Sequence, residues 1–82
     1  MLNVDLEFHE RLKCQLRLAG SSMANISRSL GISQSSVTVV SQGYRRSRRI
    51  EAEIARQLGT SAEKLFADRY NSLTTQNEEE QS

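Results

Sequence analysis

The chain has no proline and no tryptophan, one cysteine, one histidine, two phenylalanines and two tyrosines among its 82 residues. Each shortage removes a class of answer. Cys14 alone cannot close an intrachain disulfide, and with a single histidine it makes no Cys/His metal set, so zinc and disulfide scaffolds are excluded. Scarce aromatics, beside plentiful alanine, leucine, glutamate, arginine and glutamine, favour an all-α domain over a sheet sandwich. No apolar run approaches the ~20 residues of a membrane span, and the start, MLNVDLEFHE, lacks the basic residues and apolar stretch of a secretory signal. The expectation is a soluble, cytoplasmic protein with room for one small core. The most informative shortage is of carboxylates. None occurs between Glu10 and Glu51, whereas Arg11, Lys13, Arg17, Arg28, Arg45, Arg46, Arg48 and Arg49 all fall in that window. A net charge of +1 conceals this, because Asp5, Glu7, Glu51, Glu53 and Glu78 to Glu80 restore the balance outside it.

What is present divides into helical segments punctuated by glycine or hydroxyl residues. A first helix from about Leu6 to Ala19 places Phe8, Leu12, Leu16 and Ala19 on one face, and Gly20 stops it. Ser22 caps a second helix, Met23 to Leu30, with Met23, Ile26, Ser27 and Leu30 inward, and Gly31 ends it. Ser33 caps a third, Gln34 to about Ser41, with Val37 and Val40 inward. The run SVTVV favours a strand by propensity. A lone strand, however, would leave its backbone amides and carbonyls unpaired, which costs more than weak helix propensity. Ser47 caps a fourth helix carrying Ile50, Ile54 and Leu58 up to Gly59. Thr60 and Glu63 match a capping box opening a fifth through Leu65 and Phe66. The domain is expected over residues 1–70, with 71–82, polar and acidic, a disordered tail.

Helices 2 and 3 share the pattern of a helix-turn-helix: small Ser27 at the crossing, Gly31 for the turn, and Ile26, Leu30, Ile32, Val37 and Val40 filling the wedge. With those residues inward, Gln34, Ser35, Thr38 and Val39 face outward, and none is acidic. Such a surface suits the major groove of duplex DNA: glutamine pairs with adenine, hydroxyls reach several base edges, and a valine methyl meets thymine. Arg45, Arg46, Arg48 and Arg49, with Tyr44, stand where the loop and next helix would meet the sugar-phosphate backbone. Ser22, Ser33 and Ser36, near helix N-termini, and Arg28 add phosphate-holding positions. A competing unit lies in IEAEIARQLGTSAEKLF, residues 50–66, which also spells helix, glycine turn, helix. It carries Glu51, Glu53, Glu63 and Asp68, which would repel phosphate, and is assigned to packing.

At these residues the sequence resembles the phage repressor-like helix-turn-helix superfamily and, more narrowly, the Ner family of small phage and bacterial transcriptional regulators. Gly20, Ser22, Met23, Ile26, Ser27, Arg28 and Gly31 follow the Ner-type spacing, Ile54, Leu58 and Gly59 resemble its fourth helix, and Arg69 and Tyr70 its closing Arg-Tyr. The chain departs from that family where members usually carry proline, and often tryptophan: here those places hold SQGYRRSRR and KLFAD. The resemblance implies a five-helix domain in a bacterial or phage-infected cell that binds operator DNA through helix 3 and represses or modulates transcription.

Other classes have less support. His9 is expected at the surface or boundary of helix 1, and Cys14 is expected as partly buried filler with no catalytic partner nearby, so no enzyme, cofactor or metal is expected. The main rival is a protein-binding module of antitoxin or anti-repressor type whose arginines grip an acidic partner. RNA is a weaker rival, since only Tyr44 offers a stacking ring in the basic region. A homodimer is expected, at least on DNA, because one such domain touches few base pairs, and Leu2, Val4, Leu73 or the fifth helix could provide its interface.

Overall fold

The computed structural model describes residues 4–67 and residue 69, and among these the fold is all-α. Five helices follow in order: α1 Leu6–Leu18, α2 Met23–Leu30, α3 Gln34–Gln42, α4 Arg48–Gln57 and α5 Ala62–Leu65. The expected tail, 71–82, lies outside the described residues. The three serine caps read from the sequence are present, the hydroxyls of Ser22, Ser33 and Ser47 accepting from the amides of Asn25, Ser36 and Ile50, and α1 begins on a cap not read from the sequence, the Asp5 carboxylate, which accepts from the Phe8 amide at 3.0 Å. Each satisfies an amide that has no partner within its own helix. The fifth start is one residue later than the capping box predicts. Ser61, not Thr60, accepts from the Lys64 amide at 3.3 Å, because the Thr60 amide is already held by the Ala55 carbonyl in the turn that closes α4.

SVTVV is helical, and α3 is closed at its end in an unusually complete way. Gly43 takes a φ of 95°, and the Gly43 and Tyr44 amides donate to the Val40 and Val39 carbonyls. The Ser41 carbonyl receives a guanidinium nitrogen of Arg69, and the Gln42 carbonyl receives the Asp5 amide at 2.9 Å. All four terminal carbonyls, which a helix leaves without internal donors, are therefore satisfied, by the Gly43–Tyr44 turn and by Asp5 and Arg69 from near the two ends of the described chain.

The core is Leu12 and Leu16 from α1, Met23 and Ile26 from α2, Val37 and Val40 from α3, Ile50, Ile54 and Ala55 from α4, and Ala62 with Phe66. Phe8, Leu30, Leu58 and Leu65 are half-buried against it, as is Ile32 in the turn. Ala19 is exposed rather than inward, because it forms the C-cap beyond the last turn of α1. Buried Ser27 gives its hydroxyl to the Ala24 carbonyl at 2.7 Å, so its burial leaves no orphan polar atom. Gly31, at φ 69°, lets the Ile32 amide reach the Ser27 carbonyl and turns the chain from α2 into α3 within three residues.

Two expectations for α1 are corrected. Cys14 is exposed, on the side of α1 away from Leu12 and Leu16. His9 is buried, and its Nδ1 lies 2.7 Å from the Ser41 hydroxyl of α3. One turn before Leu12 and two before Leu16, it shares the inward side of α1 with them. Burial, reinforced by the Lys13 charge and opposed by Glu10, holds its pKa below the ordinary value. The folded chain therefore binds this proton less readily than the unfolded chain, so the contribution of His9 is complete above the ordinary histidine pKa and declines as pH falls below it. The urea midpoint is expected to drop between pH 7.5 and 5.5, and His9→Gln should remove most of that drop. Glu53 titrates outside this interval, since Arg56 and Gln57 hold it at about 2.

Candidate nucleic-acid interface

The outer side of α3 is open at its N-terminal end. Gln34 and Ser35 are exposed and Thr38 is half-buried. The Thr38 hydroxyl donates back to the Gln34 carbonyl at 3.1 Å, which leaves its lone pairs and methyl for an outside contact. Val39 is half-buried and packs against the core, so the free surface of α3 is narrower than spacing alone suggests.

Two basic grooves flank that surface. On the α1–α2 side, Gln34 closes a groove of about 340 Å³ with Lys13, Arg17, Ser21, Ser22, Met23 and Ala24. On the α4 side, Ser36 and Ile32 line a cleft of about 240 Å³ with Arg45, Arg46, Ser47, Arg49 and Ile50. Gln34 and Ser36 are two positions apart, which on a helix is more than half a turn, so the grooves lie on opposite flanks of α3. Lys13 and Arg17 were not picked out individually as site residues. Their signal was present in the four-residue spacing on α1, but it takes the fold to bring them beside Ser22.

The candidate cations divide by environment. Arg45, Arg48 and Arg49 are exposed, Arg49 also donating to the Leu30 carbonyl at 2.7 Å, and Tyr44 beside them is 50% exposed. Arg28, also exposed, is held by the Asn25 side chain one turn earlier in α2. The hydroxyls of Ser33, Ser35 and Ser36 cluster at the start of α3 within 3.2 Å of Ser33. Arg46 differs from its neighbours in the cluster. Its guanidinium faces inward, with Nε 2.8 Å and Nη2 3.2 Å from the two carboxylate oxygens of Glu51, and Nη1 reaches the Arg69 carbonyl at 3.4 Å. A fork-on-carboxylate pair of this kind ties the loop between α3 and α4 to the first turn of α4.

Glu51 and Arg69 complete that support. Glu51 is fully buried, and the phosphate repulsion expected of it is offset by the paired Arg46 charge. Glu53 is likewise engaged, by Arg56 and by Gln57. In residues 50–66 the second helix, α5, has four residues, a single turn, with Ala62 inward. Arg69 donates to the Val40 and Ser41 carbonyls at 2.8 Å each, and its guanidinium lies 5.1 Å from the Phe8 ring centre and 4.9 Å from that of Phe66. Those two rings meet edge to face at 5.5 Å. Burial pulls the Arg69 pKa down while nearby Glu51 pulls it up. Gln57 forms a second brace, accepting from Ser21 and donating to Ser29 and Glu53, which ties α4 to both ends of α2.

Among the described residues no group of three His, Cys, Asp or Glu side chains could hold a metal ion, and no helix is long and apolar enough to cross a membrane. Of the residues considered for a dimer interface, Val4 is exposed, while Leu2 and Leu73 lie outside the described residues. No curated protein and no solved structure matches the chain. Its sequence does match the winged helix-turn-helix DNA-binding family over residues 7–82, although no strand occurs among the described residues. With that match spanning nearly the whole chain, and with α2 and α3 joined by a three-residue glycine turn, the protein belongs to the winged helix-turn-helix DNA-binding family.

Proposed function

We propose that the chain is a sequence-specific regulator of transcription, a repressor of the Ner type, that reads the major groove of duplex DNA with α3 and acts without catalysis, cofactor or metal. The observation that carries this reading is the surface around α3: an exposed, uncharged hydrogen-bonding side between two basic grooves. In B-DNA the major groove is bounded on both sides by phosphate backbones, so a reading helix needs cations on each flank and no carboxylate between them. Gln34, Ser35 and Thr38, with the accessible part of Val39, are the base-reading residues. Ser22, Arg28, Ser33, Ser36, Tyr44, Arg45, Arg48 and Arg49 hold phosphates, joined by Lys13 and Arg17. Two copies on two-fold related half-sites would supply the specificity that one domain lacks.

The test is a comparison of duplexes. Gln34→Ala is expected to weaken binding to the preferred site by ~1–3 kcal/mol and to leave random duplex nearly unchanged, as loss of a base contact should. Equal weakening on both would remove α3 as the reader. A protein-binding module using the same arginines would instead show no salt-sensitive affinity for duplex DNA of any sequence.

A further inference from the structure

The residues after Arg69 carry the opposite charge to the proposed interface. Residues 70–82 include Glu78, Glu79 and Glu80 and no lysine or arginine, while residues 11–50 contain no carboxylate. The point at which that segment leaves the described fold is fixed by the packing of Arg69. Its guanidinium is anchored on the Val40 and Ser41 carbonyls at the end of α3, and its own carbonyl accepts from Arg46. The Arg69 carbonyl therefore lies at the arginine cluster, beside Arg46. Glu78 stands nine positions after Arg69, and nine residues of chain span at most about 30 Å. The ten residues of α4, which carry Arg48 and Arg49 at their start, extend only about 15 Å.

Charge narrows the choice of target. Arg56 is paired with Glu53 and Lys13 with Glu10, whereas exposed Arg45 and Arg49 share a cleft with the hydroxyl residues Ser36 and Ser47 and no carboxylate lines it. We infer that the Glu78–Glu80 segment docks on the Arg45–Arg49 cleft of its own chain, standing where a DNA phosphate would, and so restrains binding to random DNA. Tethering makes the encounter intramolecular, which favours it over a free carboxylate at ordinary concentrations. Each exposed carboxylate–guanidinium contact is weak and screened by salt, so a duplex offering many phosphates and correct base contacts displaces the segment, while a random duplex competes less well. Regulation of this site rests on the DNA-binding reading above, but the docking itself does not.

The experiment compares the full chain with the variant Glu78→Gln/Glu79→Gln/Glu80→Gln. In the first arm, the Nε–Hε resonances of Arg45 and Arg49 are recorded without DNA at low ionic strength. The variant should move them to the positions that the unaltered chain reaches at high salt, independently of protein concentration. Identical resonances in the two proteins overturn the docking, and a difference that grows with protein concentration overturns its assignment to the same chain. In the second arm, the variant should bind random duplex about three- to tenfold more tightly at low salt, with the gap closing as salt rises. Equal affinities overturn the restraint. If neither protein binds duplex at all, the DNA-binding reading fails, and the first arm still decides the docking.

Discussion

Glu51→Gln is expected to destabilise the fold by about 2–4 kcal/mol, because it removes one charge from a buried pair and leaves its partners enclosed without a counterion. Glutamine keeps the size of the side chain, so the effect reports charge and not a cavity. Glu51 has no solvent exposure, while the Arg46 side chain is 28% exposed, and that partial access to water places the figure below that of a fully enclosed pair. Against the 5–15 kcal/mol typical of a domain, such a loss would be visible as a large fall in the urea midpoint. Removing both partners, as Arg46→Met with Glu51→Leu, should recover part of the loss, since apolar groups carry no desolvation cost. A Glu51→Gln chain as stable as the original would mean that Arg46 and Arg69 find enough compensation in carbonyls and aromatic rings alone. The same geometry makes Arg46→Ala a poor probe of phosphate contact: it would unseat Glu51 and loosen the end of α3 before any DNA is added.

The second large effect concerns holding rather than reading. Arg28→Ala/Arg45→Ala/Arg49→Ala is expected to weaken duplex binding by about 100-fold at low ionic strength, on preferred and random sequences alike. It should also lower the slope of log affinity against log salt by nearly three units, about 0.9 for each cation lost. Thermal midpoints should be read alongside, because Arg49 also donates to the Leu30 carbonyl. A variant that loses affinity only for the preferred site would place these arginines on base edges, and one whose salt slope is unchanged would take them out of the interface.

The helices were legible in the sequence because their signals are local. Serine caps, glycine stops and the three- to four-residue recurrence of Leu12, Leu16, Ile26, Ile50 and Ile54 each act within one or two turns, and each survives folding. Even SVTVV could be settled without coordinates, from the need to pair backbone polar groups. The exposure of Gln34 and Ser35 followed by elimination once Val37 and Val40 were inward, whereas that of Val39 did not, because it is half-buried against the core. What could not be read were side chains whose role depends on partners distant in sequence. His9 meets Ser41 across thirty-two positions and Arg69 meets Val40 across twenty-nine. No spacing rule encodes those distances. Arg46 looked like its neighbours Arg45 and Arg48 until Glu51, one turn into α4, turned inward and took the guanidinium with it. Lys13 and Arg17 were visible as charge, but their place beside Gln34 depends on how α1 lies against α3.

The measurement that tests the account most directly is to titrate the isotope-labelled chain with duplex DNA and follow every backbone amide and arginine side chain. The account predicts salt-sensitive changes concentrated at Gln34, Ser35 and Thr38, with Ser22, Arg28, Arg45 and Arg49 on the flanks, and little change at Leu58 and Leu65, which line a separate apolar groove with the 83% exposed Leu18. Changes centred on that apolar groove, with α3 silent, would contradict it.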